Sequence, residues 1–366
     1  MREQLKRHWG LGLALLVPCG LTILFYMLRG NRLVMDFWVY QVAAPVEQAL
    51  GRLWSFVPFS GMELLIALFL LGNLCWLIRA IALAVRGGGV SSLGRRLLAL
   101  GAVWLWLWCA FCWLWNAAYS ASTFAQRSGL EEKAHSVEEL ALVTAWFAQE
   151  AAQRSSQVQR DQDGQFLRNP DYWFEAGVSV YDTLEETFPC LEMDSVRVKP
   201  LVCSRLQSIL GFTGMYFPFT GEANVNVDAP ACLIPATVAH EMAHQRMVAS
   251  EQEANFVGIA ACLSCDDIVF QYSGYLMGLI QLCNALYPVA PEAWSAIAQT
   301  YFTPELSLDW NTNNAYWAAL ESPVEEAAEH AYDSFLKGQG QELGIQSYGA
   351  CVDLLVTYYY DQALES

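Results

Sequence analysis

"PATVAHEMAHQRMVASEQEANF", residues 235–256, holds two of the five histidines of this 366-residue chain, His240 and His244, with Glu241 directly after the first. Pro235 suits the first turn of a helix, and "ATVAHEMAHQRMV" runs on from it without a breaker. Residues four apart share a helix face, so the two imidazoles can be aimed at one point. Neutral imidazole is a good zinc ligand, and a catalytic zinc ion takes three protein ligands and keeps one position for water. Glu241 would lie beside that position, able to take a proton from the water. This is the HExxH arrangement. Zinc binding alone needs no carboxylate there.

A third ligand has to come from further along. On a straight helix Glu251 would stand eleven residues past His240, about 16 Å along the axis at ~1.5 Å per residue, too far to share an ion. The chain must therefore turn. Ser250 with Glu253 reads as a capping box, opening a second helix just after Ala249 that folds back toward the histidines. Glu251 and Glu253 are both candidates for the third ligand. Glu251 and Asn255 are four apart, so one can ligate while the other holds a histidine ring, and Glu253 is then a cap.

Outward from this segment the composition divides the chain. The whole carries a net charge of −17 and is 55% hydrophobic. Residues 1–120 hold 10 Lys/Arg against 4 Asp/Glu (net +6), and residues 121–366 hold 10 against 33 (net −23). An acidic excess of that size speaks against nucleic-acid binding, which needs clustered cations. Three apolar runs, about 11–28, 61–85 and 97–118, are each long enough to cross a bilayer. The expectation is a membrane domain over 1–120, inserted in the lipid bilayer as three transmembrane helices, and a soluble domain over 121–366. Arg2, Lys6 and Arg7 precede the first run, and Arg86, Arg95 and Arg96 separate the second from the third. That bias predicts a cytoplasmic N-terminus and a soluble domain on the outer face.

The soluble part reads as mainly helical. "HSVEELALVTAWFAQEAAQRS" opens on a Ser136/Glu139 capping box, and 160–171 is a polar loop. Further helices are expected near 266–285, 292–300, 323–337 and 347–362, the third starting at Ser322, Pro323 and Glu325. "SVRVKPLV" (195–202) is a short strand. "GEANVNVDAP" alternates apolar and polar residues as a half-buried strand does, so a small antiparallel sheet is expected. Seven cysteines lie outside the apolar runs, and Cys262 and Cys265, three apart on a helix, read as core residues. His135 and His330 read as surface residues, and Arg246 as the partner of a nearby carboxylate. Tyr216, Tyr275 and Tyr348 are candidates to stabilise an oxyanion.

"FTGEANVN…HEMAHQR…EQEANF…YSGY…SYG" resembles the domain-of-unknown-function 3810 family, bacterial membrane proteins, over nearly the whole chain. More distantly, HExxH followed by ExxxD/N resembles the gluzincin peptidases, among them the membrane CAAX-prenyl proteases and the beta-lactam sensor proteases. In those families the first Glu of ExxxD/N is the third zinc ligand. On this chain that is Glu251, with Asn255 where those two groups have Asp. The spacer from Gln245 to Ser250 is shorter than is usual there. The resemblance implies an α+β zincin-like soluble domain binding one catalytic Zn2+ and an edge strand that pairs with extended substrate. The expected activity is a membrane-anchored zinc metallopeptidase acting on a protein or peptide, with Glu241 as general base. The alternatives are a non-catalytic zinc-binding sensor or scaffold, and a zinc amidase or esterase acting on cell-envelope material. The site is expected at or above the membrane surface, because the flanks of the HExxH segment are not apolar enough to span.

Overall fold

The computed structural model describes residues 2–130, 133, 135–339 and 348–366. Three long apolar helices dominate the N-terminal third: α1 (Arg2–Leu28), α4 (Gly61–Leu83) and α5 (Gly89–Phe111). The stretches long and apolar enough to cross a membrane are Gly10–Leu28, Gly61–Gly87 and Gly89–Asn116. The third starts eight residues before the expected 97, because Gly87 (φ 107°) and Gly89 (φ 62°) turn the chain sharply after α4 and α5 begins at once. It continues past Phe111 as a π-helical turn, Cys112–Asn116. α5 packs against both α1 and α4. The connection between the first two long helices is itself helical: α2 (Arg32–Trp38), a π-turn, then α3 (Ala44–Trp54). Its apolar residues were too few to register as a span, and its packing is against distant sequence.

The remainder is mostly helical. In order come α6 (Phe124–Ser128), α7 (Val137–Ser155), α8 (Pro170–Ala176), α9 (Asp182–Thr187), strand β1 (Lys199–Pro200), α10 (Ser204–Ile209), β2 (Gly214–Phe217) and β3 (Glu222–Val225). Then follow α11 (Ile234–Gln245), α12 (Glu251–Ser264), α13 (Ile268–Val289), α14 (Pro291–Tyr301), α15 (Pro304–Ala318), α16 (Pro323–Gly338) and α17 (Tyr348–Glu365). The expected caps close α7, where Ser136 and Glu139 bond reciprocally, and α16, where Ser322 accepts from the Glu325 amide. α15 was not expected; its Asn-rich sequence carries little helical periodicity, and Thr303 with Pro304 starts it. α7, α11, α12, α13 and α17 pack into one core, with Phe147 edge-on to Trp146, Tyr275 and Tyr359, and Tyr275 edge-on to Trp146, at its centre.

The sheet departs from expectation in two ways. Its order is β1-β3-β2, with β2 antiparallel to β3 but β1 parallel to it, so the sheet is mixed. All four residues of β3 are buried, although the sequence alternates. α11 and α3 both pack against the strand, so its polar residues meet buried partners instead of water.

Those partners tie the apolar helices to the rest. The Glu222 carboxylate accepts the amides of Gly61 (3.2 Å) and Met62 (3.0 Å), capping α4, and pairs with Lys199, whose Nζ also donates to the Trp54 carbonyl at 2.7 Å. Glu63 reaches the other way, accepting the amides of Val202 (2.7 Å) and Cys203 (2.8 Å). Asp36 accepts from the amide and hydroxyl of Ser122. Each carboxylate sits where a helix or loop start leaves amides unpaired and where a helix dipole favours negative charge. Glu222 is 2% exposed and Lys199 6%. Glu222→Ala leaves the lysine buried without its partner, and we expect a loss of about 3–5 kcal/mol, read as a fall in the unfolding midpoint of the detergent-solubilised chain. Glu63→Ala, whose partners are exposed, should cost clearly less. Equal losses for the two variants would contradict this account.

Candidate functional site

α11 does not run on through Val248. It ends at Gln245, where Met247 adopts a left-handed backbone (φ 58°). The Met247 amide donates to the His244 carbonyl (3.0 Å) and the Val248 amide to the Ala243 carbonyl (3.1 Å). That pair of bonds is the Schellman ending of a helix. It reverses the chain, and α12 then packs back along α11. Ser250 is the residue before α12, as expected, but its side chain makes no cap bond, so the expected capping box is absent.

Glu253 is committed elsewhere. Its carboxylate accepts the amides of Phe124 and Ala125, both at 2.8 Å, and so caps α6. Of the two candidate carboxylates, the fold brings Glu251 to the histidines. His240 Nε2 lies 3.4 Å from Glu251 Oε2, and His244 Nε2 lies 3.7 Å from Oε1. One ligand atom from each of the three falls within 4.8 Å of the others. His244 Nδ1 lies 2.7 Å from the Val248 carbonyl. Donation to that oxygen leaves Nε2 with its lone pair toward Glu251. The Tyr332 hydroxyl donates to Glu251 Oε1 at 2.5 Å.

A metal ion fits this donor set. Two Nε2 atoms and a carboxylate oxygen converge, each histidine is nearly buried, and the Glu251 side chain is 26% exposed. The environment separates the two glutamates. Burial outweighs the neighbouring imidazoles and pushes Glu241 up to about 7. Glu251 is held well below the usual carboxylate range, because His244 and His240 outweigh its burial. Burial alone would lower His244, but the charge of Glu251 raises it to about 9. Glu241 Oε2 and His240 Nδ1 are buried with no hydrogen-bond partner. Asn255, a candidate to hold a ring, lines the cavity, and among the described residues no hydrogen bond joins it to either imidazole.

The cluster forms one wall of an open cavity of about 740 Å³. β2 borders it, and so do Trp115 and Tyr119, at and just past the end of the third apolar stretch. The Trp115 ring stands edge-on to that of His244, 5.7 Å between centroids. Of the oxyanion candidates, Tyr216 donates its hydroxyl to the buried Glu47 at 2.5 Å. Tyr275 lies in the aromatic core with Arg154 over its ring, and the Tyr348 side chain is outside the described residues. His330 is exposed, whereas His135 is partly buried and bonds Thr357 at 2.8 Å. Arg246 pairs with Glu185 at 2.6 Å and lies over the Tyr181 ring. Cys262 and Cys265 are buried and free.

Sequence reasoning did not find Tyr332, which is 81 residues from Glu251 on an acidic helix without a local motif. It also passed over Gly258, which does carry a signal: a glycine inside a helical run often marks a close approach. A Cβ at Gly258 would lie 2.8 Å from both Cα and N of His240, so two backbones meet there. Gly258→Ala must push α12 off α11, and we expect it to cost about 1–3 kcal/mol in thermal unfolding. Gly101→Ala, with nothing within 4 Å, is the control. An unfolding midpoint for Gly258→Ala as high as that of the control would show that the helices can part freely.

A family model for proteins of unknown function, DUF3810, matches residues 39–356. No curated protein and no solved structure matches the chain.

Proposed function

The chain belongs to that DUF3810 family, and from the cluster on α11 and α12 we propose that it is a membrane-anchored zinc metallopeptidase with a zincin-like soluble part. The observation that carries this reading is the convergence of His240, His244 and Glu251 beside Glu241, a buried carboxylate with an unpartnered oxygen. Ligation needs no second acidic group beside Glu251, and burying an unpartnered carboxylate is costly. A role in proton transfer accounts for it.

His240, His244 and Glu251 would hold the zinc ion, with Val248 and Tyr332 orienting two of the three. Bound zinc lowers the pKa of a water in its open position to about 7 and polarises the carbonyl under attack. Glu241 takes the proton released as the water's oxygen bonds to the carbonyl carbon, and returns it to the amine that departs. Held near neutrality, it can do both. β2 is an outer strand with its partner β3 on one side only, so its free edge can pair with an extended peptide laid along the cavity. Tyr119 lines the same cavity and is a candidate hydrogen-bond donor to the developing oxyanion, whereas the Tyr332 hydroxyl is committed to Glu251.

We further propose that the three apolar helices cross a bilayer. α1 ends, α4 begins and the third stretch ends beside the soluble part, so the turn after α4 lies at the opposite membrane face. Arg86, Arg95 and Arg96 belong to that far face, which under the positive-inside bias is cytoplasmic. The soluble part is then extracytoplasmic.

Metal analysis of the full chain in detergent tests the reading first. About one equivalent of zinc is expected, lost in His240→Ala; a wild type that takes up no zinc overturns it. Glu241→Gln should keep the metal and lose at least about 100-fold in peptide cleavage, separating an enzyme from a zinc-holding sensor, for which the substitution changes nothing. Tyr332→Phe removes the bond to Glu251, and competition with a chelator should show zinc affinity lowered roughly 10–100-fold. Glu253→Gln should leave zinc affinity unchanged.

A further inference from the structure

The cavity shares a wall with the membrane part, and this bears on where substrate comes from. The apolar stretch Gly89–Asn116 has 28 residues, about 42 Å of helix at ~1.5 Å per residue. A bilayer's hydrocarbon core is only about 30 Å thick. Trp115, one residue from the end of that stretch, therefore stands at headgroup depth, where tryptophan is enriched. Its ring is 5.7 Å from that of His244. One turn earlier on the same stretch, Phe111 also lines the cavity; its ring stacks on Phe219 at 6.3 Å and lies 6.1 Å from Phe335. The turn that enters α4 carries Phe56, 85% exposed, and Phe59, 45% exposed. These two also belong at the lipid boundary. The metal cluster is thus one aromatic ring away from a membrane helix.

The chemistry of the lining narrows the occupant. Among the described lining residues there is no lysine or arginine, and Glu325 and Glu329 join Glu241 and Glu251 there. Beyond the metal itself, a lipid phosphate would meet carboxylates and no lysine or arginine to hold it. An uncharged or basic polypeptide meets an apolar rim at the membrane side, the open edge of β2, and acidic groups.

We infer that the substrate is a polypeptide tethered in the same bilayer, cut in its extended segment within roughly six residues of the apolar anchor. This rests on the peptidase reading above. The distance follows from the geometry. The stretch outruns the hydrocarbon core by about 12 Å and the His244 ring lies 5.7 Å beyond that of Trp115, so an extended chain at about 3.3 Å per residue bridges the gap in roughly six residues. A site carried well clear of the membrane would instead require a long spacer.

The test uses the full chain reconstituted with Zn2+ in phosphatidylcholine liposomes, and pools of synthetic peptides with a 20-residue segment of mixed sequence. One pool carries an N-terminal palmitoyl group, a second an apolar helix of 20 residues, and a third no anchor. Cleavage positions are read by mass spectrometry against Glu241→Gln. In both anchored pools, cuts within six residues of the anchor should outnumber those further out by at least 10-fold, while cuts in the unanchored pool scatter. Clustering with only one anchor narrows the substrate to that anchor type and keeps the inference. Cuts spread evenly along anchored peptides overturn it and leave the peptidase reading standing. No cleavage above the Glu241→Gln background in any pool overturns both.

Discussion

The left-handed backbone at Met247 is the constraint on which the site depends. A residue with a side chain pays roughly 1–2 kcal/mol to adopt that conformation, and here it is held by two hydrogen bonds back onto α11 and by a methionine side chain only 3% exposed. The same turn does three things. It stops α11 one residue past His244, it presents the Val248 carbonyl to the ring of that histidine, and it sends α12 back so that Glu251 faces both imidazoles. The close helix crossing at Gly258 then sets the separation. A helix continuing straight from His244 would have placed the same glutamate about 16 Å away from His240.

The apolar helices and the rest of the chain are not independent bodies joined by a linker. Four acidic residues from both sides, Asp36, Glu63, Glu222 and Glu253, each accept backbone amides that a helix or loop start would otherwise leave unpaired. Glu222 on β3 caps the start of α4, Glu63 on α4 accepts the amides of Val202 and Cys203, Asp36 on α2 accepts that of Ser122, and Glu253 on α12 caps α6 just after the third apolar stretch. Tyr216 adds a fifth link, donating from β2 to Glu47 on α3. Burial pushes Glu47 well above the usual carboxylate range. The strand that borders the cavity is therefore fastened directly to the segment between the first two apolar helices.

Local signals made much of this legible, and long-range ones made the rest obscure. The three apolar stretches, the caps at Ser136 and Ser322, and the helix carrying His240 and His244 each depend on residues within a few positions of one another. What failed depended on partners far away. Glu253 sits three residues after Ser250, which looks like a cap, yet its carboxylate goes to Phe124 and Ala125, well over a hundred residues back. β3 alternates like a half-exposed strand because its polar members find partners inside: Glu222 pairs with Lys199, and Asn224 Nδ2 donates to backbone carbonyls. The parallel pairing of β1 with β3 needs a crossover that no local pattern announces. The end of α11 was hidden for a different reason: a helix stop of this type is usually marked by glycine, and here the position is methionine.

Glu241 and Glu251 are the same residue type ten positions apart, and the fold drives them in opposite directions. Glu251 faces two imidazoles and a tyrosine hydroxyl, so its ionised form is favoured despite burial. Glu241 is buried deeper, at 3% exposure, against a glycine, Gly214, whose missing side chain leaves the carboxylate room; a Cβ there would fall 2.3 Å from Glu241 Oε1. With no donor on Oε2, burial dominates and the carboxyl sits near neutrality. A ligand should be ionised at all working pH, and a general base should exchange its proton near it. Paired groups pushed apart in this way are how environments divide acid–base roles between like residues. Under the proposed reading, the division assigns Glu251 to the metal and Glu241 to the proton from physics that does not depend on the motif's name.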